Sequence, residues 1–132
     1  MFLGGPISWS SKKQAVVALS TCEAEYIAGA VAACQAVWLL SLLEDLKIKV
    51  KKPLKLMIDN KSAINLARNP VLHGRSKHIE TKYHFLRSQV QKGTLEVVHC
   101  STQKQLADVL TKAIKTDQFL LLRDGIGVVS FV

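Results

Sequence analysis

From Tyr26 to Leu43 the chain carries no charged residue, and Ser20-Thr21-Cys22-Glu23-Ala24-Glu25 stands directly before that stretch. A run this long and this apolar is either a membrane span or a helix covered by the rest of a domain. Its first half is rich in alanine, it contains Gln35 and Ser41, and it starts directly after Glu25. Small residues let a helix lie close to a sheet or to other helices, so the reading is a buried helix, with no membrane as partner. Ser20 followed three residues on by Glu23 has the form of a capping box, in which the hydroxyl and the carboxylate each satisfy a backbone N–H that a helix start leaves orphaned. That gives Glu23 a role. Glu25, also assigned to the opening turn, sits among Ala24, Tyr26, Ile27 and Ala28 and needs a partner of its own. A metal ion is one candidate, and simple attraction to the positive end of the helix dipole is the other.

At 132 residues the chain has room for one domain with a real core. Its 18 Lys and Arg against 10 Asp and Glu leave a net charge of +8. Such an imbalance suits a polyanionic partner, most simply nucleic acid, although a protein can also be basic without one. Cys22, Cys34 and Cys100 are odd in number and not closely paired, which argues against a secreted disulfide framework and for a reducing, intracellular setting, cytoplasmic or nuclear. Met1-Phe2-Leu3 runs at once into Gly4-Gly5-Pro6, so no signal peptide is expected.

Ahead of the helix, Ile7-Ser8-Trp9-Ser10-Ser11 alternates as a half-buried strand does, Lys12-Lys13 makes a basic turn, and Gln14 to Leu19 reads as a second strand. The expectation is a hairpin followed by the helix. The helix should fade around Glu44 to Lys47, where Lys47, Lys49, Lys51 and Lys52 form a solvated run closed by Pro53. Leu54 to Ile58 reads as a buried strand ending in Asp59-Asn60, and Lys61 to Arg68 resumes helical periodicity through Ala63, Ile64 and Ala67. An Asp where a strand hands over to a helix stands at the carboxyl end of a sheet, where open α/β sheets put their ligands. Capping of the helix is the alternative use for Asp59.

Between Asn69-Pro70 and Gly93 the chain is basic, with His73, Arg75, Lys77, His78, Lys82, His84, Arg87 and Lys92 around Tyr83 and Phe85. Ile79, Tyr83, Leu86 and Val90 recur at helical spacing, which predicts an amphipathic helix whose cationic side suits a phosphate backbone. The three histidines match no standard zinc spacing, and no cysteine pair supports them. Thr94 to Cys100 is the last strand, Gln103 to Ala113 a helix holding Asp108 among Ala107, Val109 and Leu110, and residues 116 to 124 a final helix before an apolar tail over 125–132. Glu25, Asp59 and Asp108 are thus acids in apolar settings that could converge at one sheet edge. Clustered carboxylates repel one another unless a divalent cation neutralises them. Two such ions bridged by carboxylates activate a water and stabilise the leaving oxygen of a phosphodiester, which beside a basic surface is nuclease chemistry.

Ala18-Leu19-Ser20-Thr21-Cys22-Glu23-Ala24-Glu25-Tyr26, Ile58-Asp59-Asn60-Lys61-Ser62-Ala63, Lys77-His78-Ile79-Glu80 with Tyr83-His84-Phe85, and Gln105-Leu106-Ala107-Asp108-Val109-Leu110-Thr111-Lys112 together resemble the ribonuclease H domain of copia-type LTR retrotransposon polyproteins. The resemblance covers nearly the whole chain. It implies an α/β ribonuclease H-like fold, a mixed five-stranded sheet flanked by helices, and hydrolysis of the RNA strand of RNA–DNA hybrids. It further implies two Mg²⁺ (or Mn²⁺) ions, Glu25, Asp59 and Asp108 as metal-binding catalytic acids, and the reverse transcriptase portion of the parent polyprotein as a partner. Lys12, Lys13, Lys61, Arg75 and Lys77 are assigned to nucleic-acid backbone contacts on charge and position.

In that family the first catalytic Asp lies on a strand upstream of the Gly-Gly-Pro-Ile-Ser-Trp hairpin, where this sequence opens. The expectation is therefore a single domain over 1–132, incomplete at its amino end, with unpaired backbone edges and little or no activity. The short loop Ser101-Thr102 lacks the His found in many cellular ribonucleases H, and His99 falls on the strand. Two rivals remain: a basic module that holds nucleic acid without cutting it, and an unfolded gene fragment.

Overall fold

Ser20 opens α1, Thr21–Asp45, as the capping pattern requires: its backbone is extended and its hydroxyl accepts from the backbone N–H of Glu23 at 3.1 Å. The Glu23 carboxylate accepts from the N–H of Leu19, one residue before the N-cap that the box pattern names. Only Glu23 lies in the first turn; Glu25 begins the second. The structure is a computed structural model describing residues 5–69 and 77–128, with side chains for 5–69 and 84–128. These fall into two compact units, Gln14–His99 and a second formed from Met1–Lys13 with Cys100–Val132.

In the first unit α1 is followed by β1 (Leu54–Ile58), α2 (Lys61–Arg68), α3 (Lys77–Gln91) and β2 (Leu95–His99). The strands pair in parallel, with Leu54 opposite Leu95 and Ile58 opposite His99. Tyr26, Ala30 and Ala33 of α1, Ala63, Ile64 and Ala67 of α2 and Leu86 of α3 close a core over Ile58, Leu95 and Val97. The fully buried alanines at 33, 63 and 67 permit this close stacking. By length and composition α1 could cross a membrane, yet half of its apolar stretch is buried in the fold. Its other side exposes Val31, Trp38, Leu42 and Leu46.

Two guanidinium groups lock the layers. Arg87 of α3 donates through Nε (3.2 Å) and Nη2 (2.8 Å) to the Leu66 carbonyl, and Arg68 of α2 donates at 2.6 Å to the Val97 carbonyl. In a parallel ladder that begins with Leu54 N–H donating to Thr94, the Val97 carbonyl faces away from β1, so Arg68 caps an open edge. Arg87, counted in the sequence among cations for phosphate, is thus turned inward.

Helices α1 and α3, and α5 (Thr116–Gly125) of the second unit, end alike. The N–H groups of the two residues after the cap return to carbonyls in the last turn, Lys47 to Glu44 and Ile48 to Leu43, Gly93 to Val90 and Thr94 to Gln89, Gly127 to Asp124 and Val128 to Arg123. This closure needs a left-handed residue, supplied by Gly93 (φ 70°) and Gly127 (φ 81°), but by Lys47 (φ 61°) in α1. A side chain in that conformation costs about 1–2 kcal/mol.

The structure departs from the sequence reading in four places. Residues 7–11 and 14–19 form no hairpin, and Trp9, Val17 and Leu19 stand 63%, 88% and 78% exposed; strand propensity holds only where one face is covered, and these side chains have no cover. β1 is covered on one face only, Lys55 and Met57 being exposed, because the helices of this unit pack on a single side. The helix expected over 103–113 is a 3₁₀ turn, Thr102–Lys104, and a four-residue α4, Asp108–Thr111. Neither has a side-chain cap to offset the cost of nucleation, and Thr111 bonds back to the Ala107 carbonyl. Among the described residues the sheet has two parallel strands, not the mixed five that the resemblance implies. The α/β character, the start of α1 at Ser20, β2 and α5 are as expected, and the tail beyond Val128 lies outside the described residues.

Candidate active site

Packing of α1 on β1 sets the geometry. A Cβ added to the buried Gly29 would lie 3.1 Å from Ile58 Cδ1 and 3.4 Å from Leu86 Cδ2, so the helix backbone runs close over the last residue of β1. The connection 46–53 returns the chain from the end of α1 to the start of β1, so helix and strand run in opposite directions. Glu25 is one turn before Gly29 on the same face, about 6 Å nearer the helix start. The turn of α1 that carries Glu25 therefore lies toward the carboxyl end of β1, where Asp59 follows Ile58. Both acids are half-buried.

Asp59 is not the helix cap. That role belongs to Asn60, whose side-chain oxygen accepts from the Ala63 N–H at 3.1 Å. The capping alternative for Asp59 is removed, and the signal was in the sequence, since Asn caps as well as Asp. Lys61 is exposed at the first position of α2, two residues beyond Asp59. His99, opposite Ile58 in the register, is exposed at the same end of the sheet.

Asp108 belongs to the second unit, buried at 5% exposure as the first residue of α4, with its carboxylate 3.0 Å from the Lys112 ammonium. Within each unit, among the described residues, no three His, Cys, Asp or Glu side chains are grouped as a metal site. Of the assigned backbone contacts, Lys12 and Lys13 are exposed in the segment before α1, Lys77 opens α3 with its side chain outside the described residues, and Arg75 lies outside them altogether.

Next to Glu23, Cys22 is half-buried, and burial, with the Glu23 charge adding to it, pushes its thiol above the ordinary range. The thiolate is the reactive form, so Cys22 is expected to react with iodoacetamide at neutral pH more slowly than Cys34, exposed on the same helix. Peptide mapping after timed alkylation checks this, and equal rates would contradict it. The folded chain holds the Cys22 proton more tightly than the unfolded chain does, so this contribution to stability is intact at neutral pH and is lost as pH rises through the raised value.

The chain is 49% identical over 123 residues, 93% of its length, to the retrovirus-related Pol polyprotein from transposon RE1 of Arabidopsis thaliana. It is 48% identical over 124 residues, 94% of its length, to that from transposon RE2 of the same plant. The homologues of this chain are transposon Pol polyproteins. A third, from transposon TNT 1-94 of Nicotiana tabacum, is 41% identical over 126 residues, 96% of the chain. The chain spans only 8%, 8% and 9% of the length of these three Pol polyproteins. No family model and no solved structure matches it.

Proposed function

We propose that this chain is the ribonuclease H segment of a retrotransposon Pol polyprotein, hydrolysing the RNA strand of RNA–DNA hybrids with Mg²⁺ or Mn²⁺. What supports the reading is the close packing of Gly29 on Ile58, which puts the α1 turn carrying Glu25 and the residue after β1, Asp59, toward one end of that strand. Two half-buried carboxylates fit a hard cation, since Mg²⁺ takes one or two carboxylates and fills its other positions with water and substrate phosphate. An ion bound there supplies an acidified water and neutralises charge on the phosphodiester. Glu25 and Asp59 would hold the ion, and Lys61, exposed at the start of α2, would steady the phosphate. Asp108, which the resemblance assigns as a metal-binding acid, belongs to the second unit, where its carboxylate pairs with Lys112.

A second reading is a basic module that holds hybrid without cutting it, which the net charge of +8 supports equally. The deciding experiment incubates the 132-residue chain with a labelled RNA–DNA hybrid in Mg²⁺, in Mn²⁺ and in EDTA. Weak cleavage of the RNA strand with either metal and none in EDTA is expected. Binding by a folded sample with no cleavage in any condition would select the module.

A further inference from the structure

Lys47, Lys49, Lys51, Lys52, Lys55 and Lys92 are all exposed, and all belong to the unit Gln14–His99. The Leu54 N–H donates to the Thr94 carbonyl at 3.0 Å, which brings the segment ahead of β1 beside the segment ahead of β2. Lys51, Lys52 and Lys92 stand within three residues of that bonded pair at the amino end of the sheet, and Lys47 and Lys49 lie on the connection leading to it. Nearby acids account for two of them: Glu44 accepts from Lys52 at 2.7 Å, and Glu96 stands opposite Lys55 in the register. Asp45 closes α1 nearby. Lys47, Lys49, Lys51 and Lys92 make no ion pair among the described residues.

Lys47 adds a separate observation. Two other helices end in the same motif with glycine in the left-handed position, and α1 keeps a lysine there at φ 61°. Backbone strain retained where glycine is the easy solution points to a use for the side chain.

We propose that Lys47, Lys49, Lys51 and Lys92 form a phosphate-backbone contact for nucleic acid at the amino end of the sheet. This rests on the reading that the chain engages nucleic acid, and it adds a surface distinct from the end that carries Asp59. Five strand residues separate the two ends, about 16 Å at 3.3 Å per residue, or roughly five phosphates along one strand. A duplex seated at Asp59 meets the patch only if it continues for that distance. Lysines are flexible point charges, so the contact is independent of base sequence. Exposed Leu46 and Ile48 flank Lys47, which makes an anionic lipid surface the competing occupant and an arm of the test.

The test uses the whole 132-residue chain in EDTA, so that binding is read apart from cleavage. Fluorescence anisotropy with a labelled RNA–DNA hybrid is followed across salt for the wild type, for Lys47→Gly and for the triple variant Lys49→Gln/Lys51→Gln/Lys92→Gln. Each lost phosphate contact lowers the slope of log affinity against log salt by about 0.9, so the triple variant should be shallower by roughly 2–3. Lys47→Gly should melt a few degrees higher, about 3 °C, while binding hybrid several-fold more weakly. A gain in melting temperature with unchanged affinity and unchanged slopes overturns the patch and leaves the proposed function standing, since metal-dependent cleavage tests that separately. Loss of binding to phosphatidylserine vesicles in the triple variant, with hybrid binding intact, overturns it in favour of lipid. A wild type that binds no hybrid at all overturns it as well.

Discussion

Gly29→Leu is expected to lower unfolding stability by about 3 kcal/mol, the upper range for forcing extra atoms into a packed core. Even a single added carbon meets Ile58 Cδ1 at 3.1 Å and Leu86 Cδ2 at 3.4 Å, and a leucine brings three more carbons into the same space. Urea unfolding followed by circular dichroism checks the loss. The finer test is a double-mutant cycle. Gly29→Ala gains about 1 kcal/mol of helix propensity but presses on Ile58, and Ile58→Val removes the atom it presses on at a cost of about 1 kcal/mol alone. In the alanine background that cost should shrink, giving a coupling of roughly 0.5–1 kcal/mol. Effects that simply add would show that α1 does not approach β1 this closely, and the support for a shared role of Glu25 and Asp59 would go with it.

Asp59→Asn carries the second large effect, on chemistry instead of stability. Any cleavage of an RNA–DNA hybrid should fall at least a hundredfold, about 2.7 kcal/mol of lost transition-state stabilisation. Affinity for hybrid in EDTA should stay level or improve, because a negative charge near phosphate is removed. Calorimetric titration with Mn²⁺ gives a readout that needs no turnover, and binding should weaken in the variant. Stability should barely change, because Asn60 caps α2. Asn60→Ala is the matching control and should lose about 1 kcal/mol of stability. If Asp59→Asn destabilises the chain as Asn60→Ala does and leaves Mn²⁺ binding untouched, Asp59 is a structural residue and the proposed site fails.

Local chemistry written into adjacent residues was legible without any structure. Ser20 and Glu23 bond to groups three or four positions away in sequence, so the start of α1 is set by short-range geometry. The apolar run to Leu43 demanded cover, and the alanines at 30 and 33 let that cover come close. β2 and α5 were likewise visible in their patterns. The segments that defied the reading are those whose state depends on what lies across from them. Ile7 to Leu19 has strand-like alternation but no covered face, and Gln103 to Ala113 has helical spacing but no cap.

The candidate site divides along the same line. Sequence alone singled out Glu25, Asp59 and Asp108, because an acid among apolar neighbours is costly wherever it sits. Only the tertiary structure could choose between Asp59 and Asn60 as the cap of α2, turn Arg68 and Arg87 inward onto carbonyls, and pair Asp108 with Lys112. It also drew Lys92 beside the lysines that precede β1, across a ladder joining residues far apart in the chain. Capping and burial preference act over one or two turns and so are encoded locally. Pairing across a sheet and contact between helices are settled only when the whole unit closes.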